Sequence, residues 1–200
     1  VMDWIETRPE LDAKRVAIVG HSRGGKAALL AGVLDERATF VNPNDSGCGG
    51  AGCYRVHAEG ITEDGDTKRD ETLEDILDQF DYWFSKDLAS YYGHAEKLPF
   101  DQHFIKALIA PRILLEANAA SDLWANPVGS YQTAAAAHTI YDFLGMPENH
   151  LWYYRRGYHW HKISDVICLA DLMASRKNGI APNGEFYKLP FAVPNANGNQ

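Results

Sequence analysis

The feature that most constrains this chain is the run from Val16 to Leu30, Val-Ala-Ile-Val-Gly-His-Ser-Arg-Gly-Gly-Lys-Ala-Ala-Leu-Leu. A short β-type apolar stretch meets a Gly-x-Ser-x-Gly turn, and a helix-forming run follows without a gap. That order is strand, sharp turn, helix, with Ser22 at the apex of a nucleophile elbow. Glycines at 20 and 24 permit a tight backbone, and the helix that follows aims its first N–H groups toward developing negative charge. A strand feeding a helix through such a turn belongs in a parallel sheet flanked by helices, of the α/β-hydrolase type. In that fold several strands come before the elbow, whereas here an amphipathic helix, Val1 to Glu6, leads almost directly into it. The expectation is therefore that residues 1–200 are the C-terminal portion of one α/β-hydrolase domain.

Two hundred residues are enough for one substantial core. A net charge of −8 argues against a nucleic-acid partner, which requires clustered lysine and arginine. No apolar run reaches the length of a membrane span, so no membrane partner is expected. Cys48, Cys53 and Cys168 have neither zinc nor thioredoxin spacing, and free, partly buried thiols are expected over a short Cys48–Cys53 bridge.

Downstream, helical and strand-like stretches alternate. A helix from Lys26 to Arg37 precedes a strand, Thr39 to Asn42, and a glycine-rich loop from Pro43. An acidic segment, Glu59 to Asp81, reads as a largely solvated excursion with a helix from Glu71 to Phe80. A short helix spans Phe104 to Ile109, and Pro111 to Asn118 is a buried strand. A long helix, Val128 to Leu144, and a strand, His150 to Arg156, come next. A last helix begins near Ser164, whose side chain is a suitable cap, and residues 179–200 read as an irregular tail.

Candidate chemistry sits at the ends of four successive strands: Ser22, then Asp45, then Asp122, then His159 and His161. Ser…Asp…His is the order of an α/β-hydrolase triad, in which histidine takes the serine proton and a carboxylate supports the imidazole. Two acids are open. Asp122 occupies the position that the general fold favours, and Asp45 lies one strand after the nucleophile. The histidine is also doubled, and one of His159 and His161 is expected to face Ser22. No third ligand accompanies the His-x-His pair, so neither metal nor cofactor is expected.

These residues resemble the glucuronoyl esterases of carbohydrate esterase family 15. The resemblance is carried by Gly20-His-Ser-Arg-Gly-Gly-Lys26, Asn44-Asp-Ser-Gly-Cys-Gly-Gly-Ala-Gly-Cys-Tyr-Arg55, Leu98-Pro-Phe-Asp-Gln-His, Ala107-Leu-Ile-Ala-Pro-Arg112, Asp122-Leu-Trp124 and Gly157-x-His-x-His161. It implies a serine esterase that hydrolyses esters of (4-O-methyl-)glucuronic acid, as in lignin–carbohydrate linkages of glucuronoxylan. Such a polymeric substrate implies a secreted or periplasmic enzyme. By the same resemblance Ser22 is the nucleophile and Arg23 helps hold the oxyanion. Lys26 and Glu71 bind the sugar, and Trp124 packs beside the uronate. Asp45 stands where many members carry a glutamate of the triad, and Asp122 where others carry an alternative acid. A gapless match of the histidine motif favours His161, the spacing to the next helix favours His159, and His161 is preferred. The cysteines that flank serine and histidine in fungal relatives are replaced here by His21 and Lys162, a bacterial pattern. Arg55, Trp83 and His103 are expected to be structural. The competing functions are an acetyl-xylan or other carbohydrate esterase with the same triad, and a non-catalytic carbohydrate-binding relative.

Overall fold

A computed structural model describes residues 1–61 and 67–192. In chain order its elements are α1 (Met2–Glu6), β1 (Ala17–His21), α2 (Arg23–Leu34), β2 (Phe40–Asn44), β3 (Glu59–Ile61), β4 (Thr67–Arg69), α3 (Leu73–Phe80), α4 (Lys86–Ala89), α5 (Gln102–Ala107), β5 (Ile113–Ala119), α6 (Pro127–Phe143), β6 (His150–Arg155) and α7 (Ile163–Asn178), with short 3-10 turns between some of them. Strands β1, β2, β5 and β6 form one parallel sheet in that order, and β3 and β4 form a separate antiparallel hairpin.

The alternation of strand side chains explains the layers. Phe40, Ile113, Leu115 and Leu151 point to one face and pack on Cys168, Leu169 and Leu172 of α7. The intervening Val41 and Leu114 point to the other, against Leu29 of α2, Ile109 after α5 and Tyr141 of α6. The four parallel strands between helical layers agree with the expected α/β-hydrolase type. Strands β2 and β5 are buried throughout, whereas β1 lies at an edge of this sheet.

Pro43 lies in β2, flanked by strands on both sides. Proline offers no N–H to a ladder. Beyond the backbone pairing of Phe40 and Val41, the Asn42 and Asn44 amides donate to the Leu115 and Ala117 carbonyls at 2.6 and 2.9 Å. Side chains thus bridge β2 to β5 just below the end of the sheet that carries the candidate site.

Several boundaries differ from the sequence reading. The nucleophile helix starts at Arg23 and ends at Leu34. The final helix starts at Ile163, so Ser164 lies inside it; the Lys162 backbone N–H instead donates to the Asp165 carboxylate at 2.9 Å. The acidic excursion is less solvated than its composition suggests. Asp70 and Glu71 are buried, and the helix begins only at Leu73, capped by Thr72 with Asp75 completing a capping box. Leu73, Ile76 and Leu77 then join Cys48, Tyr54, Leu88 and Leu98 in a third apolar cluster. All three cysteines are free and buried. Residues 180–192 form no helix or strand, but Tyr187 donates its backbone N–H to Trp152 at 2.9 Å and so ties this stretch to β6. The remainder of the expected tail, 193–200, lies outside the described residues.

Candidate active site

Ser22 sits between β1 and α2 with φ 56° and ψ −123°, a conformation that L-residues seldom adopt. Its backbone N–H donates to the Asn44 carbonyl at 2.9 Å, and its carbonyl accepts from Gly25 and Lys26. The turn is sterically committed at Gly20, where a Cβ would lie 2.0 Å from the Gly24 carbonyl oxygen, and at Gly25, where it would lie 2.8 Å from Ser46 Cβ. Gly24 has open space around its Cβ position, so the crowding falls on Gly20 and Gly25 and not, as the motif suggests, on Gly20 and Gly24.

Three loops from three strand ends converge on the serine hydroxyl. His159, on the loop after β6, has Nε2 2.8 Å from Ser22 Oγ, and its Nδ1 is 2.5 Å from Asp122 Oδ2 on the loop after β5. Asp122 is buried, and its other oxygen accepts the Ala125 N–H at 3.4 Å. The carboxylate hydrogen bond is the main reason the His159 imidazolium is favoured and its pKa raised.

The preference for His161 does not survive. Among the described residues His161 makes no hydrogen bond to Ser22, Asp45 or Asp122; its ring stacks on His21 with centroids 5.6 Å apart and planes 4° from parallel. The cause is local. Gly157 has φ 112°, and the chain from 156 to 162 turns instead of extending, so strand alternation no longer sets where each side chain points. Lys162, taken as the counterpart of the second fungal cysteine, is accordingly three residues from the histidine at the serine.

Asp45, the other candidate acid, has φ 41° and a buried side chain. Its Oδ1 accepts the Ala119 N–H at 2.5 Å and its Oδ2 pairs with Arg155 at 2.9 Å. Neither oxygen is bonded to His159; Oδ2 lies 4.0 Å from His21 Nδ1. Burial and then the charge of Asp122 push its carboxyl up to about 7, against the pull of the Ala119 N–H and of an Arg155 charge shared with Asp165.

A cleft of about 370 Å³ opens beside the serine, lined among others by Ser22, His159, Lys26, Glu71, Trp124 and Asp45, with Phe80 and Trp83 at one wall. Lys26 reaches in from the first turn of α2 and donates to the Ser46 and Cys48 carbonyls at 2.6 Å each, with Glu71 Oε2 at 3.4 Å. All three ammonium donors are engaged, the third at a long distance. Burial raises the pKa of Glu71, while Lys26 opposes that shift. Trp124 is 41% exposed and lines the cleft. Arg23 is not among the lining residues. Its guanidinium lies 5.2 Å over the Trp83 ring and faces a neighbouring apolar pocket of about 460 Å³.

Trp83, expected to be structural, thus contributes to the cleft wall by stacking on Phe80 at 3.9 Å. Arg55 pairs with buried Asp101, and His103 packs on Phe104, both away from the cleft. Among the described residues no group of three or more histidine, cysteine or acidic side chains is placed to hold a metal ion.

A family model described as "Glucuronyl esterase, fungi" matches residues 1–145. The chain belongs to the glucuronoyl esterases. Among curated relatives, it is 40% identical over 144 residues to carbohydrate esterase MZ0003 from an unknown prokaryotic organism, covering 72% of this chain and 31% of that protein. It is 35% identical over 152 residues to the 4-O-methyl-glucuronoyl methylesterase of Schizophyllum commune, covering 75% of this chain and 38% of the relative. Among solved structures, a carbohydrate esterase family 15 glucuronoyl esterase from Caldicellulosiruptor kristjansonii superposes with a TM-score of 0.88 at 35% identity, over 96% of this chain and 51% of that one. The chain therefore spans about a third of the length of these curated relatives and half of the solved one. The α/β-hydrolase fold and the membership of carbohydrate esterase family 15 agree with the resemblance carried by the motifs.

Proposed function

We propose that this chain carries the reaction centre of a serine esterase acting on esters of (4-O-methyl-)glucuronic acid, with Ser22 as nucleophile, His159 as general base and acid, and Asp122 as the supporting carboxylate. The observation that carries this reading is the continuous relay Asp122–His159–Ser22, at 2.5 and 2.8 Å, opening onto a cleft with a cation, a carboxylate and an exposed indole.

The chemistry follows from the positions. His159 Nε2 accepts the Ser22 proton as Oγ attacks the uronate carbonyl, and the imidazolium is held by the Asp122 charge. The oxyanion that forms meets the free N–H groups at the start of α2, including that of Arg23; an oxyanion donor is worth about 3–4 kcal/mol. The Arg23 guanidinium adds to this if it leaves the Trp83 ring. Collapse of the tetrahedral adduct breaks the bond to the alkoxy oxygen, which departs with the proton from His159. Water, deprotonated by His159, then attacks the glucuronoyl-serine ester and regenerates the hydroxyl.

The sugar end is read by Lys26, Glu71 and Trp124. The Lys26–Glu71 contact is the longest that the ammonium makes. A sugar hydroxyl inserted there accepts from Lys26 and donates to Glu71, replacing a weak bond with two good ones. The exposed Trp124 face suits the C–H face of a pyranose. The name of the Schizophyllum commune relative specifies a methyl ester of 4-O-methyl-glucuronate, which supports the same class. Lignin–carbohydrate esters of glucuronoxylan are the polymeric substrates that fit, and enzymes acting on them work outside the cytoplasm.

The test separates a uronate esterase from an acetyl esterase. Lys26→Ala is assayed on methyl glucuronate and on 4-nitrophenyl acetate, which has no sugar hydroxyls. Loss of kcat/KM by about 10- to 100-fold on the first, equivalent to one hydrogen bond to a charged group, with little change on the second, is expected. Equal losses on both would reject the uronate reading.

A further inference from the structure

Arg155 is the last residue of β6, and its side chain is buried between three parts of the structure. Its Nε–H points at both Asp165 oxygens, at 2.8 and 2.9 Å, near the start of α7. One terminal nitrogen donates to Asp45 Oδ2 at 2.9 Å and also to the Trp160 carbonyl. The other donates to the Tyr158 carbonyl at 3.2 Å. The two carbonyls that it holds are those immediately before and after His159.

From this geometry we propose that Arg155 is a positioning residue, a latch that fixes the His159 imidazole by gripping its loop on both sides, with Asp45 and Asp165 as its two anchors. The proposal rests on the reading of His159 as the general base. It also gives Asp45 a task different from that of a triad acid: Asp45 acts on the histidine through Arg155 and on the Asp122 loop through the Ala119 N–H.

The loop needs such a latch. Residues 156–162 contain no helix or strand, and Gly157 reverses the chain at φ 112°. The imidazole itself is tethered by one carboxylate and one hydroxyl. Backbone bonds tie this loop to the Asp122 loop, through Ala120 N–H to the Arg155 carbonyl at 2.9 Å and Ser121 N–H to the Gly157 carbonyl at 3.2 Å, the Lys162 N–H donates to Asp165, and the His159 and His161 rings pack on His21. Arg155 therefore stands where the acid loop, the histidine loop and the end of β2 meet. Only a guanidinium suits the place. Its fixed planar fork addresses two carboxylates and two carbonyls in separate directions, whereas an ammonium offers three donors from one point. A buried cation flanked by two carboxylates also resists displacement by water, so the grip is stiff.

The experiment is Arg155→Lys in this chain, read by thermal unfolding, by kcat and KM on methyl glucuronate, and by the low-field proton resonance of His159 Nδ1–H. Lysine keeps the charge but not the fork. The expected result is a folded variant with kcat reduced by about 10- to 100-fold, the scale of a misplaced catalytic group, while KM stays near that of the wild type. The low-field resonance expected of the wild type from the short His159 Nδ1–Asp122 contact should be lost or broadened. A folded variant with wild-type kcat and an unchanged resonance would overturn the latch, as would a loss of stability with full activity per folded molecule. Should Arg155→Lys not fold, Asp165→Asn replaces it, with the same expected and overturning results. A wild-type chain without Ser22-dependent turnover counts against the esterase reading, and the resonance then still decides the latch.

Discussion

Replacing Asp122 with Asn distinguishes the two candidate acids most sharply. Asp122 Oδ2 is 2.5 Å from His159 Nδ1, so the substitution keeps the shape and removes the charge. Two losses follow. An imidazolium and a carboxylate about 4 Å apart attract by about 4 kcal/mol at an effective dielectric near 20, or about three orders of magnitude in rate. An amide can also present its NH2 to Nδ1, which puts the ring proton on Nε2, where it cannot accept from Ser22. In serine proteases this tautomer error lowers kcat by about 10⁴. The nearby Asp45 charge also favours the imidazolium and softens the loss, so kcat should fall by about 10³ to 10⁴, bounded by these two magnitudes. KM should change little, because Asp122 does not line the cleft. Above the folded pKa of His159, where the ring is neutral, stability should also change little, because Asn can still accept the Ala125 N–H. The assay is steady-state hydrolysis of methyl glucuronate with Asp45→Asn as the companion variant, for which a smaller fall in kcat is expected together with a lower melting temperature. If Asp122→Asn stays within about tenfold of wild type while Asp45→Asn loses three orders of magnitude or more, the acid assignment drawn from the His159 geometry is wrong.

Four further outcomes follow from the same structure. His159 has its pKa raised above 6.5 and must be neutral to act, so the acid limb of kcat/KM should have its midpoint above 6.5, and Asp122→Asn should move that midpoint down. The stability linked to the same group runs in the opposite sense: it is fully present below 6.5 and is lost as pH rises through the folded pKa, which pH-dependent unfolding of wild type and Asp122→Asn would reveal. Gly20→Ala drives a Cβ into the Gly24 carbonyl, 2.0 Å away in rigid backbone, and should cost about 3 kcal/mol or more, read as a fall in melting temperature of roughly 6–12 °C for a chain of this size. Lys106→Met leaves Glu116, fully buried, with His150 as its remaining partner, and should destabilise by about 3–5 kcal/mol in urea unfolding.

The parts of the site written in local sequence were legible. Gly-x-Ser-x-Gly between a strand and a helix placed Ser22, because the turn needs small residues and the sheet needs the apolar run. The alternation of strands and helices placed Asp122 and the histidines at neighbouring strand ends. The choice between His159 and His161 was not legible, because it depends on the backbone of a short irregular loop and on the positive φ at Gly157. Arg155 was missed as well. It stands beside Arg156 in Tyr-Tyr-Arg-Arg, and only strand parity and the two acids that fold against it, 110 and 10 residues away, separate the buried arginine from its exposed neighbour. The burial of Asp70 and Glu71 was hidden for a similar reason: their partners, Asn126 for one and Lys26 for the other, come from distant elements. Composition sees the charge and not the neighbour.

Hydrolysis of methyl glucuronate by the chain and by its Ser22→Ala variant, at equal concentrations of folded protein, bears most directly on the central claim. A histidine–carboxylate relay ending on a serine hydroxyl predicts turnover that falls by about 10⁴ or more when that hydroxyl is removed. Equal rates for the two proteins would contradict it.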